Sequence, residues 1–135
     1  MKEIWQELFD KAAAVVNPRD ISESIFAGSV GAAILTSNGN IYTGVSVDTD
    51  CSMGYCAERN AIGSMLTAGE NRIVKLAAVM SGKVILPCGV CREFLMQLAD
   101  EKPADIEILL SLEPLKTIKL AELLPHYWDK NASNN

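Results

Sequence analysis

Two short cysteine-bearing segments constrain this chain more than any other feature. The first is Cys56-Ala57-Glu58-Arg59. The second, separated from Glu58 by 28 residues, is Pro87-Cys88-Gly89-Val90-Cys91-Arg92. Each falls where the hydrophobic pattern changes from a strand or loop to a helix. Free backbone N–H groups and the helix dipole favour negative charge at such a junction, so thiolates are stabilised there. A Cys-x-x-Cys at a helix start can aim both sulfurs at one ion, and Cys56 supplies a third from a parallel neighbouring helix. Three soft ligands favour zinc, and a fourth position left open for water is the catalytic arrangement. The expected cofactor is one zinc ion, held by Cys56, Cys88 and Cys91.

Glu58 follows Cys56 by two residues. In mid-helix the two side chains would point about 200° apart. In a first turn both can still reach past the helix end toward one point. A carboxylate placed there stands beside the metal without ligating it, and can take a proton from water and hand it to a leaving group. Cys51 opens a competing reading: four thiolates at 51, 56, 88 and 91 would close a structural site and make this a non-catalytic zinc-binding module. A redox Cys-x-x-Cys is a third reading, and it leaves Cys56 and Glu58 unexplained.

Around these segments, apolar spacing lays out the elements. Ile4, Trp5, Leu8, Ala12 and Val15 recur at helical spacing over 2–15, and Asn17-Pro18-Arg19-Asp20 ends that helix. Strands are expected over 30–35 and 41–47, joined by Ser37-Asn38-Gly39-Asn40, whose Asn-Gly pair signals a hairpin. A loop spans 48–55 and a helix 56–68. A strand over 73–80 and a turn over 81–83 lead to a helix over 88–100. A strand over 106–112 and a short helix near 118–124 close the pattern. The two central helices serve as crossovers, so the strands they join should be parallel and the sheet covered by helices. The whole of 1–135 reads as one domain with a frayed tail from about 130.

Charge narrows the partners. The chain has 12 Lys plus Arg against 17 Asp plus Glu, a net charge of −5. That balance lacks the basic footprint of a nucleic-acid binder, so a small molecule is the expected partner. Glu3, Gln6, Glu7 and Asp10 interrupt any leader-like apolar run, and no stretch approaches the roughly 20 apolar residues of a membrane span. The expectation is a cytoplasmic protein that binds neither nucleic acid nor membrane.

The paired signatures resemble the zinc-dependent nucleoside deaminases, in particular the small three-cysteine cytidine deaminases and their blasticidin S deaminase relatives. Val30-Gly31-Ala32-Ala33 is similar to that family's first core strand, Thr43-Gly44-Val45 to its second, and Glu122-Leu123-Leu124-Pro125 to its C-terminal segment. The resemblance implies a three-layer α/β/α fold with a mixed five-stranded sheet. It implies hydrolytic deamination of an aminopyrimidine nucleoside in pyrimidine salvage: cytidine or deoxycytidine becomes uridine or deoxyuridine, and ammonia leaves. It also implies a homotetramer or homodimer. Carried over by residue, Cys56, Cys88 and Cys91 hold zinc, Glu58 moves protons, Arg59 bonds to the ligand thiolates, and Ala57 contacts substrate. Ser46 and Asp48 stand where cytidine deaminases have an asparagine and a glutamate that hold base and ribose. Both differ in kind, and the aspartate is one methylene shorter, so a modified cytosine nucleoside such as blasticidin S is the alternative substrate. His126 reads as structural. Tyr127 and Trp128 read as core or interface aromatics, or as a substrate contact near a neighbouring subunit.

Overall fold

Helix α1 (Lys2–Val15) buries Trp5, Leu8 and Ala12 and stops before the Asn17-Pro18 pair. The computed structural model describes residues 2–98 and 103–129, so the ends of the expected 88–100 helix and of the tail from 130 lie outside the described residues. After α1 come β1 (Arg19–Asp20), β2 (Ile25–Thr36) and β3 (Ile41–Thr49), then α2 (Ala57–Thr67), β4 (Ile73–Met80) and β5 (Lys83–Ile85). Helix α3 (Gly89–Gln97) and a 3₁₀ turn (Pro103–Asp105) lead to β6 (Glu107–Leu112), β7 (Leu115–Lys119) and the short α4 (Leu120–Leu123). No helix among the described residues is long and apolar enough to cross a membrane.

The sheet is mixed, as expected, but it has seven strands and not five. The register shows why. Ala27 of β2 faces Val47 on one side and Arg19 on the other, while Gly31 faces Val45 and Val79. Strands β1 and β4 therefore share one edge of β2. In the same way Ala78 faces Ala32 and Ile85, while Leu76 faces Ile34 and Ile108, so β5 and β6 share the far edge of β4. Seven strands thus occupy five ranks. The extra ones are a two-residue and a three-residue piece, too short to leave a period-2 signal.

The crossover rule holds in two forms. Helix α3 joins β4 to β6, which pair in parallel. Helix α2 joins β3 to β4; both are antiparallel to β2, so they run the same way on either side of it. The expected last helix at 118–124 begins later, because Ile118 and Lys119 still pair with β6 as the end of β7.

Alternation along the strands divides the core into two faces. Ala33, Ala77, Val79 and Leu109 pack with Trp5, Leu8 and Ala12 under α1. Ile34, Leu76 and Ile108 point the other way, into Ile62, Met65, Leu95, Met96 and Leu120 from α2, α3 and α4. The result is the three-layer α/β/α arrangement, with α2 and α3 side by side on one face.

Candidate active site

Helices α2 and α3 begin at the same end of that face. Cys56 and Cys88 are their N-cap residues, both with extended backbones (φ −76°, ψ 158° and φ −70°, ψ 171°). Cys91 lies in the first turn of α3 and is fully buried. The three Sγ atoms all lie within 4.8 Å of one another, and Cys56 and Cys88 approach to 3.5 Å. Four-coordinate zinc with bonds of about 2.3 Å separates its sulfurs by about 3.8 Å, so the donor set fits that ion in kind and spacing. Cys51 is exposed and is not a member of the cluster, which leaves the four-thiolate site without its fourth sulfur. Burial pushes the Cys91 thiol up, and the Glu58 carboxylate pushes it further. Cys88 sits below the ordinary thiol range. Burial opposes this, but the N–H groups of Cys91 and Val90 and the neighbouring thiols of Cys56 and Cys91 outweigh it. A dication among the sulfurs would favour the thiolate at all three positions.

Glu58, in the first turn of α2, is only 3% exposed. Burial raises its pKa above the ordinary carboxylate value, against the pull of its own backbone N–H and of Arg59. Arg59 donates from Nη2 to Cys56 Sγ at 3.8 Å. Its bonds to Cys56 and then Cys91 raise its own pKa, against the effect of burial. Three thiolates around a dication carry a net −1, and this guanidinium offsets it. Arg59 thus lies against the Cys56 sulfur. Arg92 does something else: its Nε donates to the Pro87 carbonyl at 2.8 Å, tying down the approach to Cys88.

The height of α2 over the sheet is set by Gly44. A Cβ there would stand 2.4 Å from the Ala61 nitrogen and 2.8 Å from the Ala57 oxygen, so backbone lies directly on backbone. Asn60 Nδ2 donates to the Val45 carbonyl at 3.0 Å and fixes the helix along the strand.

A cleft of about 480 Å³ opens over these groups. Cys56, Ala57, Glu58, Arg59 and Cys88 line it, and Ser46 and Asp48 of β3 join them; of the metal, catalytic and substrate-binding residues carried over from the resemblance, Cys91 alone does not border it. Ser46 is 8% exposed, and its Oγ accepts the Val30 N–H at 3.0 Å, where the β2–β3 register shifts between Ala27 and Gly31. Asp48 is exposed. Tyr55, which the sequence places at the end of the 48–55 loop without a role, also lines the cleft. His126 is exposed, with φ 55°. Tyr127 packs into the core and bonds to Glu93, and Trp128 Nε1 donates to the same carboxylate at 3.2 Å. None of these three lines the cleft.

Comparison with known proteins agrees with this geometry. The model of the cytidine and deoxycytidylate deaminase zinc-binding region matches residues 4–103. Cytidine deaminase of Mycobacterium tuberculosis (strain ATCC 25618 / H37Rv) is 31% identical over 123 residues, covering 90% of this chain and 86% of that protein. Blasticidin-S deaminase of Bacillus cereus is 32% identical over 113 residues, 76% of this chain and 78% of the relative. The crystal structure of the Mycobacterium tuberculosis cytidine deaminase superposes with a TM-score of 0.76 at 26% identity, covering 93% of this chain and 97% of that one.

Proposed function

The chain belongs to the cytidine and deoxycytidylate deaminase family, and from that footing we propose that it hydrolytically deaminates an aminopyrimidine nucleoside, converting cytidine or deoxycytidine to uridine or deoxyuridine and ammonia. One observation carries the reading: a carboxylate 3% exposed stands at the floor of an open cleft, beside three sulfurs drawn within 4.8 Å. Cys56, Cys88 and Cys91 would hold one zinc ion per chain. Bound there, zinc supplies Lewis acidity and makes water acidic near neutral pH.

Glu58 carries the protons. It accepts one from the attacking water and delivers it to ring N3 as the C4–O bond forms. It then takes the proton of the new C4 hydroxyl and gives it to the amine, whose C4–N bond breaks to release ammonia. A carboxyl whose burial raises its pKa is suited to both accepting and donating. Arg59 holds the Cys56 sulfur in place. Ala57, small and fully buried, leaves room for the flat ring beside Glu58. Ser46 and Asp48 face the sugar.

A modified cytosine nucleoside such as blasticidin S is the second reading. It is favoured by the Ser46 hydroxyl being engaged by Val30 N–H and by Asp48 standing exposed, which leaves the sugar side less tightly specified than an amide and a longer carboxylate would. We place the enzyme in the cytoplasm, in pyrimidine salvage, as a homotetramer or homodimer. The test is ammonia release from cytidine, deoxycytidine and blasticidin S by zinc-loaded protein, in wild type and in Glu58→Gln. The variant should keep its zinc and its fold while kcat falls by at least about 10²-fold. Zinc-loaded wild type that releases no ammonia from any of the three, or an unchanged kcat in Glu58→Gln, overturns the assignment.

A further inference from the structure

We infer that Tyr55 is the ring against which the substrate's own ring packs, making it a specificity-determining residue of the cleft. The inference rests on the nucleoside reading above. A site that takes a flat heteroaromatic ring out of water presents an aromatic or apolar face to it, and removing such a face costs roughly 5- to 150-fold in binding.

The aromatic residues can be taken one by one. The chain has three tyrosines, two tryptophans and three phenylalanines. Trp5 and Phe9 pack under α1. Tyr42 donates its hydroxyl to Glu70 at 2.7 Å. Phe94 lies on the outer side of α3, in a separate apolar groove with Leu66 and Val90. Tyr127 is in the core, with Trp128 beside it at 5.5 Å between ring centroids. Phe26 pairs with Asp48 across β2 and β3 but does not line the cleft. Tyr55 alone of the eight does.

Its backbone is held where that role needs it. Val47 N–H donates to the Tyr55 carbonyl at 2.9 Å, and Tyr55 N–H donates to the Val47 carbonyl at 2.9 Å. This two-bond bridge folds the loop after β3 back onto the strand. Gly54 makes the close approach possible, since a Cβ there would stand 2.5 Å from the Val47 oxygen. Residue 55 is therefore locked between the strand that carries Ser46 and Asp48 and the first metal ligand, Cys56. The residue nonetheless stays 41% exposed. A large ring kept wet while its backbone is pinned presents a prepared apolar surface, and a bound pyrimidine would cover it.

The experiment measures uridine binding by calorimetry and cytidine turnover for zinc-loaded wild type, Tyr55→Phe, Tyr55→Leu and Tyr55→Ala. Trp128→Ala and Phe26→Leu serve as rivals. Tyr55→Phe should stay within about twofold of wild type. Tyr55→Ala should weaken uridine binding and lower kcat/KM for cytidine by roughly 5- to 150-fold, mostly through KM, at full zinc content and unchanged Tm. Tyr55→Leu keeps the bulk without the π face and should fall between, and it decides the matter if the alanine variant does not fold. Wild-type binding and turnover in Tyr55→Ala, or the loss appearing in Trp128→Ala or Phe26→Leu instead, overturns this inference alone. Wild-type protein that neither binds uridine nor deaminates cytidine, deoxycytidine or blasticidin S overturns it together with the functional reading.

Discussion

Adding one methyl group at Gly44 should damage catalysis from beneath α2. The new Cβ would lie 2.4 Å from the Ala61 nitrogen and 2.8 Å from the Ala57 oxygen, where ordinary contact begins at 3.4 Å. Both neighbours are backbone atoms of α2, so no side chain can swing aside, and the helix must rise by about 1 Å. Overpacking of this kind costs about 1–3 kcal/mol. For a chain of 135 residues that lowers Tm by roughly 4–12 °C. The same helix carries Glu58 in its first turn and starts at Cys56, so the displacement reaches the reacting groups, and misplacement by about 1 Å costs on the order of 10² in rate. The assay is thermal unfolding of Gly44→Ala together with kcat of the zinc-loaded protein, measured well below its Tm. Gly63→Ala is the matched control: its Cβ would meet nothing within 4 Å, and it too lies in α2. That variant should gain about 0.5–1 kcal/mol from helix propensity and keep wild-type kcat. Gly44→Ala with wild-type Tm and kcat would show that α2 is not held at backbone contact and would refute the reasoning.

Two further outcomes follow from the same structure. Cys51→Ser should bind one equivalent of zinc and keep its activity, whereas Cys88→Ser should lose both; elemental analysis of the purified variants decides, and metal loss in Cys51→Ser would restore the four-thiolate site. Glu70 accepts bonds from Thr36, Tyr42, Asn40 and Asn38, which hold its pKa down to about 2 and clasp the β2–β3 hairpin to the turn after α2. Because the folded pKa is depressed, this stabilisation is complete above the ordinary carboxylate value and fades as pH falls from about 4.5 toward 2. Urea titrations of wild type and Glu70→Gln should therefore differ at pH 7 and converge near pH 2, and a constant gap across that range would contradict the clasp.

The chemistry was more legible than the scaffold. Cys56, Glu58, Cys88 and Cys91 could be assembled from sequence because their identities are rare and each helix start is marked locally. Strands β1 and β5 could not, since two or three residues carry no alternation. The first five residues of β2 were hidden for another reason: the register shift near Ala27 breaks the period just where the strand begins. Strand β7 went unread: its first three residues, 115–117, fall in no expected element, and Ile118 and Lys119 fit the expected terminal helix as well as a strand. The engagement of Ser46 by Val30 and the bridge that presents Tyr55 both depend on pairing between distant segments. No property of either residue alone announces such pairing.

The two-residue turn between β4 and β5 works as a gauge block for the metal. Ser81 and Gly82 both take positive φ, 51° and 75°, and close the tightest kind of hairpin, with Met80 facing Lys83. From there β5 runs only to Ile85 before Leu86 and Pro87 deliver Cys88. One residue inserted in that turn would slide β5 by about 3.4 Å along β4 and turn its side chains to the opposite faces. Metal–ligand distances tolerate about 0.2 Å, so no relaxation downstream could absorb the error. Length variation among this chain's descendants should therefore collect at the 37–40 hairpin tip, remote from the sulfurs, and vanish at 81–82, where one residue more or fewer unmakes the site without altering a single ligand.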